Sequence, residues 1–276
     1  MEMRKILTLK EIQDMSLDIL LDVHDFCMKN GIKYSMSGGT LLGAVRHKGF
    51  IPWDDDVDLF MLRPDYDRFV SIYESPRYKL MSMEKDKWYC LPFAHVADIT
   101  KTEIDWMNAP FGHENGGVKI DIFPIESVSN NREEYDAQFD KCVELGKYYY
   151  YARMALSRFS TKKTLQENYK LLKKKIRTLN GRAAIRYCQL IDENARQYPF
   201  GSTDYIGLTC LPISRTRQRF PKEVFDDTVL LDFEGHKFCA MTGYIDVLLE
   251  AFGPDYMTPP PPEERFQHFI HYRYKN

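Results

Sequence analysis

The sequence predicts an α+β protein, and three features of its 276 residues carry that assignment. Short β-branched and apolar segments crowd into the first 130 residues, two long helical patterns fill 131–197, and a hairpin pattern with further helix follows. The expected organisation is a strand-bearing core over 1–130, a helical region over 131–200, and a segment over 201–276 that completes the same compact unit.

Residues 8–30 read as the first helix. Thr8 and Glu11 have capping-box spacing, Ile12, Met15, Ile19, Val23 and Phe26 recur at helical intervals, and Gly31 ends the pattern. Ile32–Met36 reads as a short strand that runs into a Ser37-Gly38-Gly39-Thr40 turn, and Leu41–Arg46 as a helical turn. Val57–Leu62 suits a buried strand stopped by Pro64, with a helix over 65–74. Lys79–Met83, Tyr89–Ile99 and Val118–Phe123 are further strands, the last preceded by the turn residues Asn115-Gly116-Gly117. Helices are expected over 131–158 and 162–197, with Gly181 as a break. Val229–Phe233 and Lys237–Met241 flank a Glu234-Gly235 hairpin turn, and 244–252 looks helical. The prolines at 259–262 predict a rigid extended segment leading to a short C-terminal helix.

With 44% hydrophobic and 28% charged residues, the composition excludes disordered and fibrous classes. Six cysteines without a C-x-x-C pair exclude a zinc ribbon and argue for buried thiols rather than a disulfide framework. The N-terminal stretch MEMRKILTLKEIQDM lacks a signal peptide's apolar run, and nowhere do about 18 apolar residues run together, so a cytoplasmic protein is expected. Residues 153–186 carry eleven Lys or Arg against the single acid Glu167. A basic helix of this kind is a solvated face or a peripheral contact with an anionic inner membrane leaflet; no module supports nucleic-acid binding.

The chemistry concentrates in Ser37–Leu62. Asp54, Asp55 and Asp56 are consecutive, and Asp58 follows Val57. Adjacent acids repel, so a fold keeps them in open water or around a cation. On a strand, Asp56 and Asp58 share one face with their Cα atoms about 7 Å apart, close enough to converge on a divalent cation such as Mg2+ or Mn2+. The Gly38-Gly39-Thr40 turn would let backbone N–H groups approach phosphate, and Arg46, His47 and Lys48 add positive charge between turn and acids. The plainer alternatives are a solvated acidic turn and solvated loop cations. A third carboxylate is expected from a neighbouring strand: Asp121, between apolar residues in Val118–Pro124, is preferred to Asp98.

These residues resemble the LicD family of phosphocholine transferases and, distantly, fukutin-type ribitol-phosphate transferases. The likeness runs through S-G-G-T-L-L-G-A-V-R-H-K-G-F-I-P-W-D-D-D-V-D and on to Arg68-Phe69. It returns in Asp121-Ile122-Phe123-Pro124-Ile125-Glu126 and in the tail Phe252–Met257 with the prolines and Glu263-Glu264 beyond; the region 130–200 is anonymous. The tail departs from the family pattern by Pro254, and Arg46–Trp53 is longer than the usual spacing between glycine turn and acid pair. The resemblance implies a nucleotidyltransferase-like mixed sheet with flanking helices, and Asp56, Asp58 and Asp121 as metal ligands and catalytic residues. It further implies CDP-choline as donor and a hydroxyl of a cell-surface glycan, lipid-linked glycan or teichoic acid precursor as acceptor. Gly38, Gly39, Thr40, Arg46 and Lys48 would then meet the donor's diphosphate. A quaternary ammonium is best held by aromatic faces, which makes Trp53, Trp88, Tyr89 and Trp106 candidates for the choline end. Tyr148–Tyr151 and the histidines 95, 113, 268 and 271 are expected to be structural. Competing readings are transfer of ribitol or glycerol phosphate, nucleotidyl transfer proper, and a binding protein on the same fold.

Overall fold

The structure, a computed structural model, describes residues 5–104, 116–153, 166, 168–169, 172, 183–211, 218–265 and 272–275. Helix α1 (Leu9–Asn30) begins at Thr8 with the expected reciprocal capping box to Glu11 and ends at Gly31 in the left-handed conformation (φ 61°). Its buried stripe, Ile12, Ser16, Ile19, Leu20, Val23 and Cys27, lies against a central sheet.

The first strand is shorter than expected: β1 covers only Ser35–Met36. Helix α2 (Gly38–Arg46) leads to strand β2 (Asp58–Leu62), which runs directly into α3 (Arg63–Ile72) with Pro64 in its first turn. Strands β3 (Lys79–Met81), β4 (Ala94–Asp98) and β5 (Thr102–Ile104) follow, then the long β6 (Val118–Val128). Helix α4 (Arg132–Arg153) and helix α5 (Ala183–Ala195) supply the helical middle region. Strands β7 (Tyr205–Gly207) and β8 (Arg219–Pro221), the hairpin β9 (Thr228–Phe233) and β10 (His236–Met241), helix α6 (Tyr244–Phe252) and strand β11 (Tyr272–Tyr274) complete the chain.

The main sheet has the order β1-β2-β6-β4-β3, with β7 and β8 extending from the far end of β6. Among the described residues of this sheet only β2 and β6 pair in parallel, and the other pairs are antiparallel. This mixed sheet with helices bears out the α+β class. The hairpin and α6 lie where the sequence places them. Four strands escape sequence reasoning, β5 among them, which lies beyond the expected Tyr89–Ile99 strand. β7 and β8 are three residues each, too short to show a period, and β11 stands where the tail was expected to be helical, pairing with β5. Strand β6 continues past Pro124, which sits within it opposite Met61. Most of the basic segment 153–186 lies outside the described residues. No helix among the described residues is long and apolar enough to cross a membrane.

Period-two alternation gives β2 and β6 two buried faces. Leu59, Met61, Ile120 and Ile122 join the core under α1, α2 and α3, whereas Phe60, Phe123 and Ile125 join Phe93, Ile206 and Phe220 on the other side. Where β2 passes into α3, Arg63 (5% exposed) donates to Glu126 (1% exposed) through Nε at 2.6 Å and through Nη2. Asp192 of α5 takes a further contact from Nη2 at 3.2 Å, so the guanidinium ties α3, β6 and α5 together. Burial works against the Arg63 charge, but Glu126, Asp192 and Asp67 outweigh it and raise its pKa. Removing one partner strands the other in the interior. Glu126→Ala is therefore expected to cost about 3–5 kcal/mol in urea unfolding, while the double change Arg63→Met, Glu126→Leu stays much nearer wild type.

Candidate active site

The parallel pairing of β2 and β6 sets Asp58 opposite Asp121, and the antiparallel pairing of β6 and β4 sets Asp121 opposite His95. Asp58, Asp121 and His95 thus form one cross-strand row on a single face of the sheet. The adjacent row on that face is aromatic. Phe60 and Phe123 are 6.3 Å apart between ring centroids, and Phe93 and Phe123 are 4.5 Å apart. Polar groups on such a floor are partly stripped of water, which magnifies every charge among them.

Each acid is fixed through its backbone. The Asp58 N–H donates to Thr40 Oγ1 at 2.9 Å, and its carbonyl accepts from the Ser37 N–H at 3.0 Å. The Asp54 carbonyl accepts from the buried Gln13 of α1 at 2.8 Å. The Asp121 N–H donates to the Val57 carbonyl at 2.8 Å, so pairing begins one residue before β2 proper.

Glycines 38 and 39 start α2 rather than forming a turn of their own. A Cβ on Gly39 would come within 2.5 Å of Asp54 Oδ2, and one on Gly38, whose φ is +52°, within 3.0 Å of Asp58 Oδ2. The close approach that glycine permits is made by the protein's own carboxylates. They face the first turn of the helix, where backbone N–H groups favour negative charge. This helix end is also without a side-chain cap from Ser37.

Burial, and after it the carboxylates of Asp56, Asp121 and Asp54, pushes the Asp58 pKa well above the ordinary carboxylate range; Lys119 pulls it down. Lys119 Nζ pairs with Asp121 Oδ1, and His95 Nε2 lies 3.1 Å from the same oxygen. Among the described residues no three His, Cys, Asp or Glu side chains are grouped to hold a metal unaided.

An alignment over 280 residues, 98% of this chain and 99% of the relative, gives 33% identity to lipopolysaccharide cholinephosphotransferase LicD of Haemophilus influenzae. The chain belongs to the LicD family. A family profile described as LicD/FKTN/FKRP, nucleotidyltransferase domain, matches residues 31–150, the stretch that holds the whole row of acids. An uncharacterized protein of Rickettsia typhi is 43% identical over 143 residues, 48% of this chain and 44% of its own length. Ribitol 5-phosphate transferase FKRP of mouse is 62% identical over 29 residues, 10% of this chain and 6% of that protein.

In this LicD-family chain the structure brings together Asp58, Asp121 and the Asp54–Asp56 turn. Asp98 is used elsewhere: its Oδ1 accepts from the N–H groups of Thr100 and Lys101 and from the Thr100 hydroxyl, closing the turn after β4. Thr40 has a positioning role as acceptor for Asp58. Arg46 reaches the tail, donating to the Tyr256 carbonyl at 2.8 Å, and burial lowers its pKa. Lys48, at φ 60°, offers its carbonyl to the Glu234 N–H of the β9–β10 turn.

The aromatic candidates are dispersed. Trp88 is 59% exposed with Lys87 over its ring, whereas its neighbour Tyr89 is 6% exposed and meets His95 edge-on at 5.7 Å. The Tyr89 hydroxyl is buried without a hydrogen-bond partner among the described residues. Trp53 packs against His47 and carries the Arg265 guanidinium on its face. Trp106 and His113 lie outside the described residues, as do His268 and His271.

Sequence reasoning missed Lys119 and His95 as parts of the site. Lys119 was legible in principle, because Lys-Ile-Asp puts 119 and 121 on one face of a strand. His95 needed the β4–β6 register, which no local pattern supplies.

Because Asp58 is protonated more readily when folded than when unfolded, its charge opposes folding as pH rises. Stability from this group is therefore expected to increase as pH falls from neutrality. Asp58→Asn should unfold at a higher temperature than wild type at pH 7 in chelator, and should lose that part of the pH dependence. Equal melting temperatures in calorimetry would contradict the repulsion.

Proposed function

We propose that the chain transfers phosphocholine from CDP-choline to a hydroxyl of a glycan or lipid-linked glycan. The observation that carries this reading is the Asp58–Asp121 row in a chain that aligns end to end with a cholinephosphotransferase.

A divalent cation fits this chemistry. The donors are hard oxygens, Asp58 is held with other carboxylates at a cost that a cation would relieve, and magnesium commonly takes one or two carboxylates and leaves the rest of its shell to water and substrate phosphate. Asp56, Asp58 and Asp121 are the residues that would hold such an ion, and the ion would neutralise charge on the transferred phosphoryl group.

The chain's own groups do the rest. The acceptor oxygen attacks the phosphorus that bears choline, a new P–O bond forms, and the bond to the CMP phosphate breaks with its electron pair leaving on CMP. The hydroxyl proton passes to a carboxylate, for which Asp121 is best placed: Lys119 and His95 both contact its Oδ1, leaving Oδ2 for the acceptor. Phe60, Phe93 and Phe123 keep water from one side of the row. The acceptor would be a lipopolysaccharide or teichoic acid precursor, met at the inner leaflet with the basic 153–186 segment as its contact with anionic lipid.

The test is product analysis with choline-labelled CDP-choline, magnesium and a glycan acceptor. Label should move to the glycan as CMP is released, and Asp58→Ala or Asp121→Ala should lower the rate by about a thousandfold or more with the fold retained. Retention of the nucleotide on the acceptor would indicate nucleotidyl transfer. Turnover of CDP-ribitol but not CDP-choline would replace choline by a polyol.

A further inference from the structure

Trp53 stands immediately before the acidic turn, and its ring is fixed from behind. It packs against the main core and meets His47 edge-on, 6.4 Å between centroids. His47 Nε2 is in turn contacted by Arg46 Nε at 2.9 Å, and Arg46 is anchored on the tail through the Tyr256 carbonyl. The open side of the indole is covered by Arg265, whose guanidinium carbon is 4.3 Å from the ring centroid. That distance is well inside cation–π range, and tryptophan is the strongest of the aromatic partners.

Arg265 is exposed and lightly held. Its Nε donates to the Pro260 carbonyl at 3.2 Å and its backbone N–H to the Pro262 carbonyl at 3.3 Å. The turn Pro262–Glu264, behind the stiff Pro259–Pro262 run, presents the side chain to the ring. A guanidinium is a weakly hydrated monocation, which is also the character of a trimethylammonium group; each gains from an indole face what a neutral polyol does not.

We propose that the face of Trp53 is a cation seat which the chain fills with its own Arg265 until the trimethylammonium group of a choline-bearing donor replaces it. The proposal rests on the phosphocholine reading and deepens it, since it names the seat of the choline end and a residue that competes for it. Arg265 then sets donor affinity by occupying the place the donor needs.

The experiment is a titration with choline chloride followed by the choline methyl-proton NMR signal, with glycerol as an uncharged control, on the full chain and on Arg265→Ala and Trp53→Leu. Circular dichroism confirms that each variant is folded. Arg265→Ala should bind choline about two- to fivefold more tightly than wild type, the range expected for losing one exposed competing cation–π contact. Trp53→Leu should lose choline binding, and glycerol should bind none of the three. In turnover with CDP-choline the gain in Arg265→Ala should fall on KM rather than kcat. Choline affinity in Arg265→Ala equal to or below wild type overturns the competition, and so does weaker binding of CMP by that variant, which would make Arg265 a phosphate ligand. A wild-type enzyme that uses only a polyol donor defeats the phosphocholine reading separately, because the choline titration decides the seat without turnover.

Discussion

Two carboxylates held opposite one another on neighbouring parallel strands form the constraint around which this molecule is arranged. Asp58 and Asp121 are set by the register of β2 and β6, and that register is set by hydrophobic alternation on both faces. A slip by one residue would turn an acid and the phenylalanine two residues on under α1, and would send Leu59 or Ile122 to the site face. The core thus enforces a repulsion that neither acid would choose. Around it the fold gathers what relief it can: Lys119 and His95 on Asp121, the first turn of α2 beside Asp54 and Asp58, and backbone clamps from Gln13 and Thr40 that hold position without adding charge. Relief is incomplete, as the raised Asp58 shows, and an electrostatic deficit of this kind is a common mark of a catalytic site.

The same strands carry a second ionic group with the opposite character. Arg63 and Glu126 are buried, matched and tied to α5 through Asp192. Asp121 and Glu126 lie five residues apart on β6, an odd interval, so they face opposite sides of the local sheet plane. One end of the strand carries unbalanced charge, and the other carries balanced charge that fastens the helical region to the sheet.

Much of this was legible in the sequence where local chemistry decides the structure. The Thr8–Glu11 capping box, the Glu234-Gly235 hairpin and the amphipathic α1 depend on residues near one another in the chain. The partnership of Asp58 with Asp121 was accessible because a charge inside an apolar strand needs a reason. What stayed hidden depends on long-range pairing. β5 finds its partner in β11 some 170 positions later, His95 enters the site through the β4–β6 register, and Arg265 reaches Trp53 from the far end of the chain. The Gly38-Gly39 turn was misjudged for a related reason. Its glycines do make room for anions, but the anions that occupy the room here are Asp54 and Asp58, brought there by a loop whose path the sequence does not declare.

The choice between a choline and a polyol donor therefore does not turn on the acids, which serve any phosphodiester-forming transfer alike. It turns on what lies next to them. A polyol would call for hydrogen-bonding side chains beside the phosphoryl site, whereas the group that adjoins the acidic turn is an indole already holding a cation. Arg265 could have been placed over a carboxylate, where a guanidinium gains most; that it lies on Trp53 makes the ring a surface shaped for positive charge. On the proposed reading, specificity divides between sheet and tail: the β2–β6 row would serve the reaction, and Arg265, carried on the tail and lying over Trp53, would compete with the donor's cationic end.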